Sequence, residues 1–476
     1  MSAPVEPVGH ERRMRVLAIC CLSLFVVGVD ATGVNLALPS IRRDLGADGS
    51  QLQWVIDAYT LVLASLLMLA GSTGDRLGRR RVFQVGLVLF GLGSLLCSAA
   101  QTPGFLIAAR TIQAAGGSML NPVAMSIITN TFRDPKERAQ AIGLWGATVG
   151  LSMALGPVLG GLLVDGIGWR AIFWLNIPVV VAAVVLSALF VPESRADRVR
   201  RLDPVAQALV VVLLATLTFG IIEGRTLGWD SATVLACFAV AAAALVVLVP
   251  YELRREEPLL DPRFFASIPF SGAVLSAVLG FCAMGGFLFL NTLYLQDVRG
   301  LSPLRAGLMT LPMAGATALM SPVSGRIVGA VGPRLPLLLA GGGISLSGAM
   351  LLGVENGTSY VYLGVAYLAF GIGFGMLNAP ITNAAVSGMP RTQAGVAAAI
   401  ASTSRQVGMS LGVAVLPTVT YAQLRGPAST GLASASHLAW GLVLGCGVAV
   451  AALALVSTSP AAIRSRDRAA AELGAA

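Results

Sequence analysis

The sequence predicts an all-α membrane protein of fourteen transmembrane helices: two pseudo-symmetric six-helix bundles with two further helices inserted between them. Three observations predict this: an apolar composition, its division into blocks of helical-span length, and an internal repeat whose copies lie eight blocks apart. Of 476 residues, 56% are hydrophobic and only 12% charged, and mean hydropathy is +0.80. A soluble domain carries about 25% charged residues, so a water-facing surface is excluded for most of this chain. The apolar residues fall in blocks of about 20, the length that spans a bilayer as a helix. Lipid offers the backbone no hydrogen-bond partners, so such blocks must satisfy themselves as helices.

Hydropathy places the spans near 14–37, 51–71, 82–100, 104–127, 139–164, 172–191, 204–224, 231–250, 268–293, 304–328, 335–353, 359–380, 395–420 and 438–458. The first follows a polar head with Arg12, Arg13 and Arg15, as a signal peptide would. No small-residue cleavage site follows it, so it reads as a retained helix. With the N-terminus inside, 23 of the 32 basic residues fall on inside segments and seven on outside loops. Lys and Arg near span ends set orientation, so both termini are expected in the cytoplasm. The same rule accounts for the net charge of +9 without a nucleic-acid partner. The six cysteines lie inside apolar blocks without metal-ligand spacing, so no metal site is expected.

The expected divisions are a cytoplasmic head at 1–13, an N-terminal six-helix bundle at 14–192, two inserted helices with their flanking loops at 193–266, a C-terminal six-helix bundle at 267–458 and a cytoplasmic tail at 459–476. The stretch 422–436 is rich in Gly, Ser and Ala and reads as a mobile outside loop.

The insertion follows from the repeat. The loop after span 2 runs from Gly71 to Arg81, and the loop after span 10 from Gly325 to Arg334. In both, Gly recurs seven residues on (Gly78, Gly332) and Arg nine residues on (Arg80, Arg334). Transporters built from repeated bundles show weak symmetry of this kind. An offset of eight spans between six-span units leaves two extra, and spans 7 and 8 are the natural pair.

Several motifs carry chemistry. The span 2–3 loop holds Gly71, Asp75, Arg76, Gly78, Arg79 and Arg80. Asp75 can sit near a helix N-terminus or pair with an Arg across the bundle face, which would latch the cytoplasmic side; the plainer reading is that the arginines only set topology. In span 5, Gly150, Gly156, Gly160 and Gly161 recur at near-helical spacing around Pro157. Small residues let membrane helices approach closely, and proline removes a backbone donor and kinks the helix.

In these residues the chain resembles the major facilitator superfamily. G-x-x-x-D-R-x-G-R-R in the span 2–3 loop is similar to that superfamily's signature. VDATGVNLALP (Val29 to Pro39), WVIDAYTL (Trp54 to Leu61), WGATVGLSMALGPVLGG (Trp145 to Gly161) and WRAIFWLNIP (Trp169 to Pro178) resemble its fourteen-span drug:proton antiporter branch. The span 4 motif departs in one place: Arg110 and Gln113 match, but Ala114 stands where Gly is usual. The resemblance implies that the span 5 seam controls access and leak. It also gives the first-helix Asp and the span 4 Arg roles in coupling.

Charges within a membrane helix are costly and are candidates for function. Asp30, Asp57 and Arg110 each lie six or seven residues from the outer end of their spans. At about 1.5 Å per residue, that is one depth, so the three can share a site. Asp30 beside Arg110 would be an acid held ionised by a cation, and a proton or a cationic substrate would shift that balance; the alternative is a structural pair that fixes register. Asp57 could instead face water at the cavity mouth. Arg405, deeper in span 13, either lines the cavity or pairs across the bundle.

The function expected is a proton-driven exporter of small lipophilic or antibiotic-like compounds, active as a monomer in the cytoplasmic membrane. It would need no cofactor beyond the proton gradient, and no nucleotide-binding G-x-x-x-x-G-K-[ST] run occurs. A dedicated exporter of one endogenous metabolite or antibiotic would carry the same motifs. A transporter-like sensor would be expected to add a soluble signalling domain. An enzyme would be expected to bring catalytic groups together, and no span gathers His, Cys and acid.

Overall fold

The computed structural model describes residues 10–132, 134–195, 203–255, 258–386 and 394–474, and those residues form helices joined by short turns. In chain order they are α1 (His10–Leu45), α2 (Gly49–Leu77), α3 (Arg79–Ser98), α4 (Pro103–Thr131), α5 (Pro135–Gly166), α6 (Ala171–Phe190), α7 (Pro204–Leu227), α8 (Ala232–Leu253) and α9 (Ile268–Leu293). There follow α10 (Pro303–Met309), α11 (Leu311–Val331), α12 (Arg334–Leu351), α13 (Tyr360–Val386), α14 (Ala394–Gln423), α15 (Ala428–Ala435), α16 (His437–Ser457) and α17 (Pro460–Gly474).

Among the described residues, eleven helical segments are long and apolar enough to cross a membrane. The more polar α4, α5 and α14 are of comparable length, at 29, 32 and 30 residues.

Local sequence sets the helix ends. Asp48 and Gln51 form a reciprocal capping box at the start of α2, satisfying two backbone donors that the first turn would leave open. Thr102 caps α4, with Pro103 in the first turn where no backbone donor is needed. Gly78 ends α2 with φ +111°, and Gly332 ends α11 with φ +86°. The two repeated glycines therefore do the same work: each takes a backbone conformation that strains any residue with a Cβ.

The helices pack in two matching groups. In the first, α1 lies on α5 and α6, α2 on α4, and α3 on α4 and α6. In the second, α9 lies on α14 and α16, α11 on α13, and α12 on α13 and α16. The helices α7 and α8 pack on each other, and α7 also touches α2 and α14. Trp54 Nε1 donates to Glu223 Oε1 of α7 at 2.9 Å.

The bundles meet at the end opposite the start of α1 and the end of α16, called here the distal end. Gln296 Nε2 donates to the Leu36 carbonyl at 2.9 Å, and Arg42 pairs with Asp297 at 2.7 Å. Among the described residues, the hydrogen bonds and ion pairs that join the two bundles all lie in this half.

The structure corrects or extends four local expectations. The stretch read as a mobile loop contains α15, which buries Leu432, Ala433 and Ala435; the Ala-rich run has an apolar face that its Gly and Ser content obscures. The stretch expected as a cytoplasmic tail, for which no helix was expected, forms α17, whose Ser465 hydroxyl accepts from the Ile268 backbone at 3.0 Å. The span expected at 304–328 stands as one membrane-length segment, Pro303–Val331, with a turn at Thr310, just before Pro312, that divides it into α10 and α11. And α1 runs well past both expected ends, from His10 to Leu45, so Arg42 lies within a helix.

Candidate functional site

Asp30 of α1 and Arg110 of α4 face each other inside the first bundle, 0% and 1% exposed. Arg110 Nη1 donates to Asp30 Oδ2 at 2.6 Å. Two neutral amides complete the ring around the carboxylate: Gln113 Nε2 donates to Asp30 Oδ1 at 2.9 Å and Asn176 Nδ2, from α6, at 2.8 Å. Ser94 of α3 accepts from both amides, at 2.8 and 3.1 Å. Gln113 in turn accepts from Arg110 at 2.6 Å. An ionised carboxylate only accepts, so this ring of donors is built for the charged form of Asp30.

Arg110 also reaches α2. Its Nε donates to the Val55 carbonyl at 3.2 Å, and its guanidinium lies 4.0 Å from the centre of the Tyr59 ring. An aromatic face attracts a cation, and both contacts hold Arg110 between α1 and α2.

Asp57, which its depth allowed either to share this cluster or to face water at the cavity mouth, does neither and is 0% exposed. One turn beyond Gln53 on α2, it faces α14. Gln53 Nε2 donates to the Val413 and Ala414 carbonyls, each at 3.0 Å, and to Thr418 Oγ1 at 3.1 Å. Asp57 Oδ1 accepts from Thr60 at 3.2 Å. Its Oδ2 and the neighbouring Ser410 Oγ are both buried without a well-formed hydrogen bond. Among the described residues no cation pairs with Asp57. Equal depth fixed the height of the three charges but not the direction in which each points.

The span 2–3 loop closes on its own bundle. Arg79 donates to Asp75 Oδ1 through Nε and Nη2, at 3.0 and 2.9 Å, so Asp75 pairs across the α2–α3 turn rather than across the bundle face. Gly71 packs near Pro122 and Arg76 is exposed. Glu193, after α6, accepts from the Arg80 backbone at 3.1 Å and lies 3.6 Å from Arg81 Nε. A Cβ on Gly78 would come within 2.6 Å of Glu193 Oε1.

The α5 glycines divide between two partners. Gly156 and Gly160 face α1: a Cβ on Gly156 would strike Thr32, and one on Gly160 would lie 2.8 Å from Gly33 Cα. Gly161 faces the other bundle, where a Cβ would lie 2.5 Å from the Pro303 carbonyl. Pro157 is next to this contact, its carbonyl set against Gly307 of α10. Gly150 lies on α5, but its surroundings are outside the described residues.

Arg405 of α14 points to α13. Nη2 donates to Thr382 Oγ1 at 2.6 Å and Nη1 to Ser402 Oγ at 3.3 Å, while the buried Nε has no partner.

Residues 20–413 match the family profile described as Major Facilitator Superfamily. The chain belongs to that superfamily. "Multidrug resistance protein Stp" of Mycobacterium tuberculosis (strain CDC 1551 / Oshkosh) is 36% identical over 403 residues, covering 85% of this chain and 75% of that protein. "Tetracenomycin C resistance and export protein" of Streptomyces glaucescens is 35% identical, covering 84% of this chain and 74% of that protein. "Puromycin resistance protein pur8" of Streptomyces alboniger is 34% identical, covering all of this chain and 97% of that protein. In fold, the chain is similar to a solved bacterial homologue of the human drug peptide transporters PepT1 and PepT2, with a TM-score of 0.67 at 15% identity over 96% of this chain and 99% of that one. This superfamily member is thus a membrane transporter and not an enzyme.

Sequence reasoning missed four residues of this transporter's sites. Asn176 and Ser94 complete the Asp30 ring, Gln53 fastens α2 to α14, and Glu193 anchors the span 2–3 loop. The first three are neutral polar groups, which cost less in a membrane helix than a charge does, so they stood out less than Asp30 and Arg110; Asn176 lies within the WRAIFWLNIP run but was not singled out there. Glu193 lies just past an apolar block and has the look of a solvated loop charge.

Proposed function

We propose that the chain is a proton-coupled antiporter that exports drugs or antibiotics across the cytoplasmic membrane by alternating access. On this reading it has fourteen spans, both termini in the cytoplasm, and works as a monomer powered by the proton gradient alone. The distal end is then the outer face, and the contacts gathered there describe a state closed to the outside.

The observation that carries the reading is the ring of donors around Asp30. Three donors are matched to a carboxylate. A proton on Asp30 removes the negative charge that Arg110 neutralises and replaces an acceptor with a donor, which the ring cannot accommodate unchanged. Arg110 would be released, and Arg110 also holds the Val55 carbonyl and Tyr59 of α2. Helix α2 carries Gln53 and Asp57 against α14. A proton at Asp30 is thereby linked, through one arginine and one helix, to the contacts that shut the outer face. Substrate leaves and the proton enters while that face is open.

The names of relatives such as the tetracenomycin C protein favour a second reading of the same mechanism, in which this chain exports one antibiotic rather than many.

The test is an efflux and resistance panel in a host lacking its own pumps, with a protonophore control and Asp30→Asn. The proposal expects export by the native protein to stop with the protonophore and to be lost in the variant. Export that survives collapse of the proton gradient, or net transport inward, would overturn it.

A further inference from the structure

The interior charges are not equivalent. Asp30 is matched by Arg110, and Asp57 is sealed between α2 and α14. Arg405 differs from both. Among the described residues no acid pairs with it, and its only side-chain partners are the hydroxyls of Thr382 and Ser402. A guanidinium has five N–H donors and cannot lose its charge in a protein. Here one donor atom, Nε, is buried with no acceptor. A charged group inside a membrane domain is costly unless it pairs or faces water.

Its position shows which way it faces. Helices α13 and α14 pack on each other and on α9, and α9 itself touches α1 of the first bundle. To either side, α14 touches α2 and α11 touches α5 of the first bundle. The groove between α13 and α14 therefore fronts the space between the bundles. Thr382, the hydroxyl that Arg405 holds, is exposed there. Thr382 lies in the last turns of α13, and an exposed hydroxyl there, held by a charged side chain, marks contact with water rather than lipid.

We propose that Arg405, with Thr382 beside it, is the subsite for an anionic oxygen of the exported molecule, so that lipophilic acids (carboxylates and acidic phenols) are a favoured substrate class. The planar fork of a guanidinium matches a carboxylate with two parallel hydrogen bonds, and Thr382 holds the fork in place until the anion arrives. This inverts the preference that acids in the spans would suggest, because Asp30 is paired with Arg110 and Asp57 is buried against α14, out of reach of a substrate. The inference rests on the reading that substrate binds between the bundles.

The experiment uses inside-out vesicles energised to drive export, with a fluorescent coumarin carboxylic acid and its methyl ester as probes. Native protein, Arg405→Gln and Arg405→Lys are compared at matched protein content. The proposal expects Arg405→Gln to lower the apparent affinity for the acid by about tenfold, the worth of one charge-assisted hydrogen bond, and to leave that for the ester unchanged. Arg405→Lys keeps the charge and recovers part of the loss. Equal losses for acid and ester would make Arg405 a structural pin between α13 and α14 and overturn the subsite, as would an unchanged affinity for the acid. Failure of the native protein to move the acid under a proton gradient would overturn the favoured substrate class, and export of the ester alone would do so while leaving the antiporter reading standing.

Discussion

Arg110 holds Asp30 of α1 at 2.6 Å and, through the same guanidinium, the Val55 carbonyl of α2 at 3.2 Å. One side chain on α4 thus ties the acid to the helix that closes the distal interface. Removing Arg110 leaves a carboxylate buried beside an empty space. Truncating one partner of a buried pair costs about 3–5 kcal/mol, so Arg110→Ala should strongly lower the thermal unfolding temperature of purified protein. Arg110→Lys should restore part of that stability but little transport, since a lysine cannot reach the carboxylate, Gln113 and Val55 at once. Unfolding in detergent and export in vesicles separate the two effects.

Asn176 donates to Asp30 from α6, and its loss leaves the carboxylate one donor short. A hydrogen bond to a charged group is worth about 1.5–3 kcal/mol. Asn176→Ala should therefore cost about that much in stability and slow transport, while Asn176→Gln, with its donor displaced, should fold better than it transports. Vesicle export normalised to folded protein tests this.

The α5 glycines should respond differently according to what they face. Gly160→Ala forces α5 away from Gly33 within one bundle and should lower stability by about 1–3 kcal/mol, the usual cost of overpacking. Gly161→Ala presses on the Pro303 carbonyl across the interface and should instead shift the population away from the distal-closed state. Paired spin labels on the distal ends of α5 and α10 should report a longer distance for Gly161→Ala and an unchanged one for Gly160→Ala.

Gly78 combines a left-handed backbone with a crowded neighbour, and its Cβ would meet Glu193. Gly78→Ala should cost at least about 1–2 kcal/mol from conformation alone. Adding Glu193→Ala should recover only the part due to crowding, a difference that a double-mutant cycle measures.

The sequence made the helical spans, the repeat and the charged pair legible for one reason: each stands out against an apolar background. Asp30 and Arg110 are costly in lipid, and a cost of that size leaves few uses besides pairing. Gln53, Ser94 and Asn176 carry no such cost, so their roles emerge only once the helices are in place. Depth was readable by counting residues from a span end. Direction was not, which is why Asp57 was grouped with Arg110 when it faces α14. Composition also misled for α15, where Gly and Ser hid a short run with a buried apolar side.

The most direct test of the account measures proton movement itself. Purified protein is reconstituted into liposomes loaded with a pH-sensitive dye, and a substrate from the efflux panel is added under an imposed proton gradient. The account predicts a substrate-dependent proton flux for the native protein and none for Asp30→Asn, although the variant is folded and still binds the substrate. A flux in Asp30→Asn equal to that of the native protein would contradict it.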